Sequence, residues 1–488
     1  MSGQDSGAMT GSPAKPEPLT PDLCIIGAGS GGLSVAAAAA MFGVGVVLVE
    51  RDRMGGDCLN VGCVPSKALI AAGARAQALR EAGAFGIEAG EPRINFARVH
   101  DHVQRVIAAI APNDSVERFG ALGVTVIKGE ARFVSRSTVM VGDQAIRARR
   151  FVIATGSRPS APPIPGLDAL PYLTNESVFS LTKLPERLLV LGGGAVGVEL
   201  SQAMARLGSR VTLIEAQSLL AREDAEAVGL VRRALLREGV TVLEQARVAR
   251  AEPKRGGLRL VLEDETTLEG THLLVAAGRE PNIEALDLEL AGIRSDAKGV
   301  VVDKGLRSSN RRVFAIGDCA SGQSGGLQFT HVANYHAGLV LRSALFRLPV
   351  RVQTLAIPRV TYCQPELASV GLSEAEARAR GAVTLLRWPF AENDRAQAER
   401  KTDGFVKLVT DKKGRILGAT IVGAGAGELI VPWCMAIQKR MSVKDMAGLV
   451  FPYPTLSEVS KRAAVSFYAP LAAKPGIRRL IAFLRRFG

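Results

Sequence analysis

Short, wholly apolar runs alternate along this chain with glycine-rich turns and with longer stretches of helical periodicity. Residues 22–50 read DLCIIGAGSGGLSVAAAAAMFGVGVVLVE: an apolar run, glycines spaced G-x-G-x-x-G, an alanine-rich stretch, a second apolar run and an acid. Residues 187–215, RLLVLGGGAVGVELSQAMARLGSRVTLIE, repeat the pattern. Each copy predicts strand, tight turn, helix, strand. The glycines are Gly27, Gly29 and Gly32 in the first copy and Gly192, Gly194 and Gly197 in the second, and Glu50 and Glu215 each follow their first glycine by 23 residues. Residues 23–49 carry no charge, which is long enough to suggest a membrane span or a signal segment. Their six glycines favour strand, turn and helix instead.

These residue types suit one kind of ligand. The first glycine allows a tight turn, the second lets backbone approach a pyrophosphate, and the third lets helix and strand pack closely. The helix N-terminus offers unpaired N–H groups and partial positive charge, and the terminal acid accepts from a ribose diol. Two dinucleotides are therefore expected. At the second site Glu215 would repel a 2′-phosphate, which favours NADH, with NADPH as the alternative because Arg222 lies seven residues on. The runs RFVIATGSRP and HLLVAAGREPN close on Thr155-Gly156 and Ala277-Gly278, as buried strands delivering loops to a ligand do. VFAIGDCA ends at Asp318, a carboxylate placed either to bond sugar or ribityl hydroxyls or to cap the next segment.

At 488 residues the chain needs several domains. Six cysteines in that length argue for a reducing compartment over a secreted disulfide framework. The Ser-, Gly- and Pro-rich residues 1–20 read as a flexible tail, no targeting signal is evident, and a cytoplasmic protein is expected. The net charge of +14 is spread over scattered arginines with only 5% aromatics, so no nucleic-acid partner is expected. In GIRRLIAFLRRFG, however, Ile477, Leu480, Ile481, Leu484 and Phe487 fall at helical spacing with Arg478, Arg479, Arg485 and Arg486 mostly opposite. This basic amphipathic helix, in a tail over 471–488, either rests on an anionic membrane as a peripheral contact or packs on its own domain.

The segment GGDCLNVGCVPSK, residues 55–67, holds Cys58 and Cys63. Five residues of regular helix separate Cα atoms by ~8.7 Å, whereas a disulfide needs roughly 4.4–6.8 Å. A bond between these thiols therefore requires a break in the helix, for which Asn60 and Gly62 are suited. Pro65 fits the first turn of the helix beyond. Lys67 follows Cys63 by four, on the same face, where its charge favours a thiolate or a reduced flavin. Core cysteines, a metal clip and a redox pair remain as readings. A zinc site would want four ligands, and Cys24, Cys319, Cys363 and Cys434 are dispersed in apolar segments, so no metal site is expected.

With these motifs in this order, the chain resembles the class I pyridine nucleotide–disulfide oxidoreductases over roughly residues 21–468. The resemblance implies that Gly27, Gly29, Gly32, Glu50 and Asp318 hold FAD and that the second fingerprint holds the nicotinamide cofactor. Gly56, Thr155, Gly156 and Gly278 join the cofactor-binding set. It further implies that Cys58 and Cys63 form a redox disulfide, Cys63 facing the flavin and Cys58 exchanging with the acceptor, with Lys67 paired to Glu199. The implied architecture is α/β: two Rossmann-like domains, for FAD and NAD(P), plus a C-terminal α+β dimerisation domain. The expected boundaries are 21–158 and 285–352 for the FAD domain, 159–284 for the NAD(P) domain and 353–470 for the interface domain of a homodimer.

One motif departs from the family pattern. Dithiol-handling members carry His-Pro-Thr-x-x-Glu, the histidine serving the partner subunit as acid–base; here FPYPTLSE puts Tyr453 in that place and keeps Glu458. An ordinary tyrosine titrates near ~10 against ~6.5 for histidine, so about 0.1% is ionised at neutral pH, a poor match for a general base. FPY, GELI and KRMSV are similar to mercuric reductases, yet AKPGIRRLIAFLRRFG lacks their terminal cysteine pair. None of the five histidines is an evident substitute; His331 and His336 follow the Asp318 motif. The expectation is electron flow from NADH through FAD and the Cys58–Cys63 pair to a small-molecule or metal-ion acceptor. The alternatives are a dihydrolipoamide dehydrogenase with tyrosine for its base, and a membrane-docked flavin-binding sensor.

Overall fold

The computed structural model describes residues 16–322 and 326–487. The chain forms two compact units: Met1–Asn60, Ile107–Arg158 and Arg279–Val352 in one, Val61–Val106, Pro159–Gly278 and Gln353–Gly488 in the other.

The first unit is built on a five-stranded parallel sheet in the order Val313–Ala315, Arg150–Ile153, Leu23–Ile26, Val46–Glu50, Val124–Lys128. Leu23 pairs with Arg150 on one side and Val46 on the other. A central parallel strand is covered on both faces, which is why LCII and VVLV are apolar without alternation and fully buried. The charge-free stretch is thus strand, turn, helix (Ser30–Met41) and strand. That helix packs on Thr330–Ala344, and Gly31 permits the approach: a Cβ there would stand 3.3 Å from the Ala333 Cβ. An antiparallel meander of Ala131–Ser135, Thr138–Val141 and Gln144–Ile146 completes the unit, with Phe133 meeting Phe151 edge-on at 5.4 Å. Most of the tail expected over 1–20 lies outside the described residues. Its end is docked rather than loose: Leu19 bridges Ile146, donating to the Ala145 carbonyl at 2.9 Å and accepting from Arg147 N at 2.8 Å.

The second unit contains a four-stranded parallel sheet, Thr241–Leu243, Arg210–Ile214, Arg187–Leu191 and His272–Val275 in that order. An antiparallel sheet of Val248–Lys254, Gly257–Leu262 and Thr267–Gly270 accompanies it. Residues 61–106 group in this unit. The physical reason is a close helix crossing, in which Cys63–Glu81 lies on Ala195–Arg206 with a Cβ on Gly73 only 3.2 Å from the Ala203 carbonyl oxygen. The C-terminal part is a five-stranded antiparallel sheet, Arg359–Thr361, Glu366–Gly371, Ile416–Gly423, Phe405–Asp411 and Val383–Pro389. Helices Val431–Gln438 and Glu458–Val465 close its core around Trp433, whose indole N–H donates to Ser460 Oγ at 3.2 Å. The amphipathic tail is helical over Pro475–Leu484 and buries none of its residues. Among the described residues no helix is long and apolar enough to cross a membrane.

Candidate functional site

The first glycine turn shows why each glycine is there. Gly27 has φ +105°, and a Cβ on it would meet the Ala154 carbonyl oxygen at 2.4 Å. A Cβ on Gly32 would lie 1.9 Å from the Gly27 oxygen. Gly56 (φ +57°) crosses the turn so closely that its Cβ would stand 2.8 Å from the Gly29 Cα. Gly29 is the N-cap of Ser30–Met41, with no side-chain cap and no acid in the first turn, which leaves the helix amides for an anion. Glu50 Oε2 accepts from Ala28 N at 2.6 Å and Oε1 from Asp52 N at 2.8 Å, fixing a buried carboxylate at the turn. Beside it, Asn282 spans the Thr155-Gly156 loop, its Nδ2 donating to the Thr155 oxygen at 3.1 Å and its N to the Gly156 oxygen at 3.0 Å.

Asp318 does not cap the short helix it sits in; its Oδ2 accepts from Ser157 Oγ at 2.7 Å. Burial raises its carboxyl above the ordinary range, against the lowering effect of Ser157 and Arg279. Arg279 in turn donates to Ser157 Oγ at 2.8 Å and reaches Asp57 at 3.3 Å. His336 is buried behind this loop, where its Nδ1 accepts from Gly317 N at 3.3 Å. Burial pushes its imidazole down to about 4, which keeps the ring neutral and structural.

The second turn reproduces the first. A Cβ on Gly192 (φ +115°) would be 2.5 Å from the Ala276 oxygen, and one on Gly197 would be 1.8 Å from the Gly192 oxygen. Glu215 Oε2 accepts from Gly193 N at 2.6 Å and Oε1 from Gln217 N at 2.8 Å. Gly194 caps Ala195–Arg206 without a side-chain bond, and a Cβ on it would touch nothing within 4 Å. Gly278 accepts from Ser160 N at 3.1 Å, and Arg222 is exposed. Uncapped helix amides with a fixed carboxylate alongside fit a dinucleotide at both turns.

Cys58 lies in the short helix Gly56–Asn60 and Cys63 opens the helix Cys63–Glu81. The helix is broken between them, as the spacing argument requires: Gly62 sits at φ −123°, ψ −113°. Asn60 holds the break by donating from Nδ2 to the Gly56 oxygen at 2.8 Å and the Met54 oxygen at 3.0 Å. Cys58 is half-buried and Cys63 exposed, whereas Cys24, Cys319 and Cys363 are buried.

One turn beyond Cys63, Lys67 Nζ stands 2.8 Å from Glu199 Oε2. The Glu199 side chain is nearly buried, so both oxygens need partners. The second, Oε1, accepts from Tyr362 N at 2.8 Å. Tyr362 also places its ring under Lys67, 4.4 Å from Nζ to the centroid. Tyr362 thus holds both members of the pair, a role no local pattern signals, since the three residues come together only in the fold.

Tyr453 and Glu458 are engaged separately. The Tyr453 hydroxyl donates to Asp394 Oδ2 at 2.7 Å, and Asp394 holds the phenol above its ordinary range. Glu458 Oε1 instead accepts from Arg462 at 3.2 Å. Asp394 carries no sequence signal, because ENDRAQ reads as a helix start, and indeed Asn393 caps Asp394–Ala398.

A family profile described as pyridine nucleotide-disulphide oxidoreductase matches residues 21–337, and that family's dimerisation domain matches 357–464. The mercuric reductase of Streptomyces lividans is 36% identical over 92% of this chain and 97% of its own length. The dihydrolipoyl dehydrogenase of Geobacillus stearothermophilus is 37% identical over 91% and 95%. Among solved structures, LpdA from Mycobacterium tuberculosis has a TM-score of 0.84 at 28% identity, covering 92% of this chain and 99% of that one. The HOCl-induced flavoprotein disulfide reductase RclA from Escherichia coli, in a Cu(II) complex, has a TM-score of 0.82 at 28% identity, covering 91% and 99%. Matches of that extent place the chain in the pyridine nucleotide-disulphide oxidoreductase family, as a flavoprotein related to mercuric reductases and dihydrolipoyl dehydrogenases.

Proposed function

We propose that the enzyme passes electrons from NADH through FAD to a Cys58–Cys63 disulfide and on to a small thiophilic acceptor, a metal ion above all, with a mercuric-reductase-like core. Bound FAD supplies the two-electron relay between reduced nicotinamide and disulfide. The chain's own residues do the rest. The first turn and Glu50 bind the resident nucleotide, and the second turn and Glu215 bind the exchanging one, the carboxylate favouring an unphosphorylated ribose. Opening the disulfide leaves Cys63 as the thiolate at the start of the helix that carries Lys67, and Cys58 as the thiol that attacks the acceptor. Glu199 and Tyr362 fix the Lys67 ammonium. In a homodimer, Tyr453 and Glu458 complete the partner's site.

The carrying observation is the Lys67–Glu199 pair one turn beyond Cys63. The Tyr453–Asp394 bond argues for the choice of acceptor, because a phenol held above its usual range by a carboxylate donates a hydrogen bond and does not take up a thiol proton. That opposes the dihydrolipoamide reading. A Cu(II) complex of RclA, a similar structure, favours a metal ion.

An acceptor screen with NADH, comparing Hg(II), Cu(II), oxidised lipoamide, glutathione disulfide and a quinone, tests this reading. Metal-ion turnover lost in Cys58→Ser and in Cys63→Ser supports it. Tyr453→His should raise lipoamide turnover by about 100-fold, the lower side of what a general base contributes. Fast lipoamide turnover by the wild type, or acceptor turnover intact without Cys63, overturns it.

A further inference from the structure

The helix Pro475–Leu484 and the turn Arg485–Phe487 lie past residue 464, where the match to the dimerisation domain ends. Leu480, Ile481, Phe483 and Leu484 each keep more than half of their surface in solvent, and Phe487 keeps 74%. Soluble surfaces rarely leave so contiguous an apolar stripe uncovered. Wound at 3.6 residues per turn, Ile477, Leu480, Ile481, Phe483, Leu484 and Phe487 fill one arc of about 160°. Lys474, Arg478, Arg479, Arg485 and Arg486 occupy the opposite arc, leaving no basic residue within the apolar one. The charge is as one-sided as the hydrophobicity. Between Val459 and Gly488 there are seven Lys or Arg and no Asp or Glu, half of the whole chain's net +14.

We propose that this helix is a peripheral anchor that lies in the surface of an anionic lipid bilayer, its apolar arc among the acyl chains and its arginines among the headgroups. Charge complementarity selects this occupant. With seven cations and no acid from Val459 onward, the segment calls for an anionic surface, and an acidic bilayer meets the apolar arc and the basic arc at once. The helix is too short to span a membrane, so the docking is reversible and depends on salt.

The test is co-sedimentation of the FAD-loaded, full-length protein with vesicles. On vesicles carrying about one-third phosphatidylglycerol at low salt the protein pellets, and binding falls at least tenfold on pure phosphatidylcholine. It also falls when salt is raised to ~1 M, where the Debye length shrinks to about 3 Å. Leu480→Asp with Leu484→Asp abolishes pelleting, and Arg478→Gln and Arg479→Gln each weaken it about fivefold. Flavin content and NADH oxidation stay at wild-type levels in all of these variants. Three results each overturn the proposal: protein left in the supernatant with anionic vesicles, equal binding to neutral ones, or a Leu480→Asp, Leu484→Asp protein that turns from dimer to monomer, which would make the helix a subunit contact.

Discussion

At the first glycine turn Glu50 is buried, the Gly56 backbone crosses over Gly29, and the following helix is covered by Thr330–Ala344. At the second, Glu215 is half-exposed, Gly194 faces open space, and Val196 on the first turn of the helix is 46% exposed. The hydrogen bonds of the two carboxylates nevertheless agree, at 2.6 and 2.8 Å in both. One local device is therefore used twice in different surroundings. The enclosed copy suits a nucleotide that stays, and the open copy one that arrives reduced and leaves oxidised.

The most severe way to break this comparison is to put a methyl on the third glycine of each turn. Gly32→Ala drives a Cβ to 1.9 Å from the Gly27 oxygen, a clash on the order of 4 kcal/mol or more in the core of the first unit, and should give protein without flavin. Gly197→Ala makes the same clash at 1.8 Å. Its protein should stay yellow while its flavin is reduced by NADH at least ~100-fold more slowly, a loss of about 2.7 kcal/mol. The flavin-to-protein absorbance ratio and stopped-flow reduction read the two outcomes, and a flavin-loaded Gly32→Ala enzyme would erase the distinction.

Acid should find the enclosed site next. His336 titrates at about 4 when folded and near 6.5 when exposed, so the unfolded chain binds the extra proton in between. Stability is therefore unaffected above about 6.5 and falls as pH drops toward 4, by on the order of 3 kcal/mol. His336→Asn, which keeps an acceptor for Gly317 N, should flatten that part of the denaturation profile.

Smaller effects sharpen the contrast. Tyr362→Leu removes the ring under Lys67 but keeps the backbone bond to Glu199, and should slow NADH-to-flavin transfer by about fivefold, near 1 kcal/mol. Tyr362→Phe should not. Gly194→Ala meets no atom, so thermal stability should be unchanged while KM for NADH rises a few-fold as the methyl enters the space of the pyrophosphate.

These differences also explain what the chain discloses before it folds. Both glycine turns and the break at Gly62 were legible, because each depends on residues within a few positions of one another. Tyr362 was not: it meets Lys67 from 295 positions away, and no local pattern around it marks it. Asp394 was hidden by its place at a helix start. Leu19 looked like tail because one bridge to Ile146 leaves no periodicity.

Anaerobic titration with NADH, followed by absorbance and thiol counting, tests the disulfide relay most directly. The account predicts that one equivalent of NADH exposes two reactive thiols and brings up a long-wavelength band between the Cys63 thiolate and oxidised flavin. Cys58→Ser should show that band before any reductant is added, and Cys63→Ser should never show it. Flavin that bleaches with the first equivalent while no thiol appears would contradict the account.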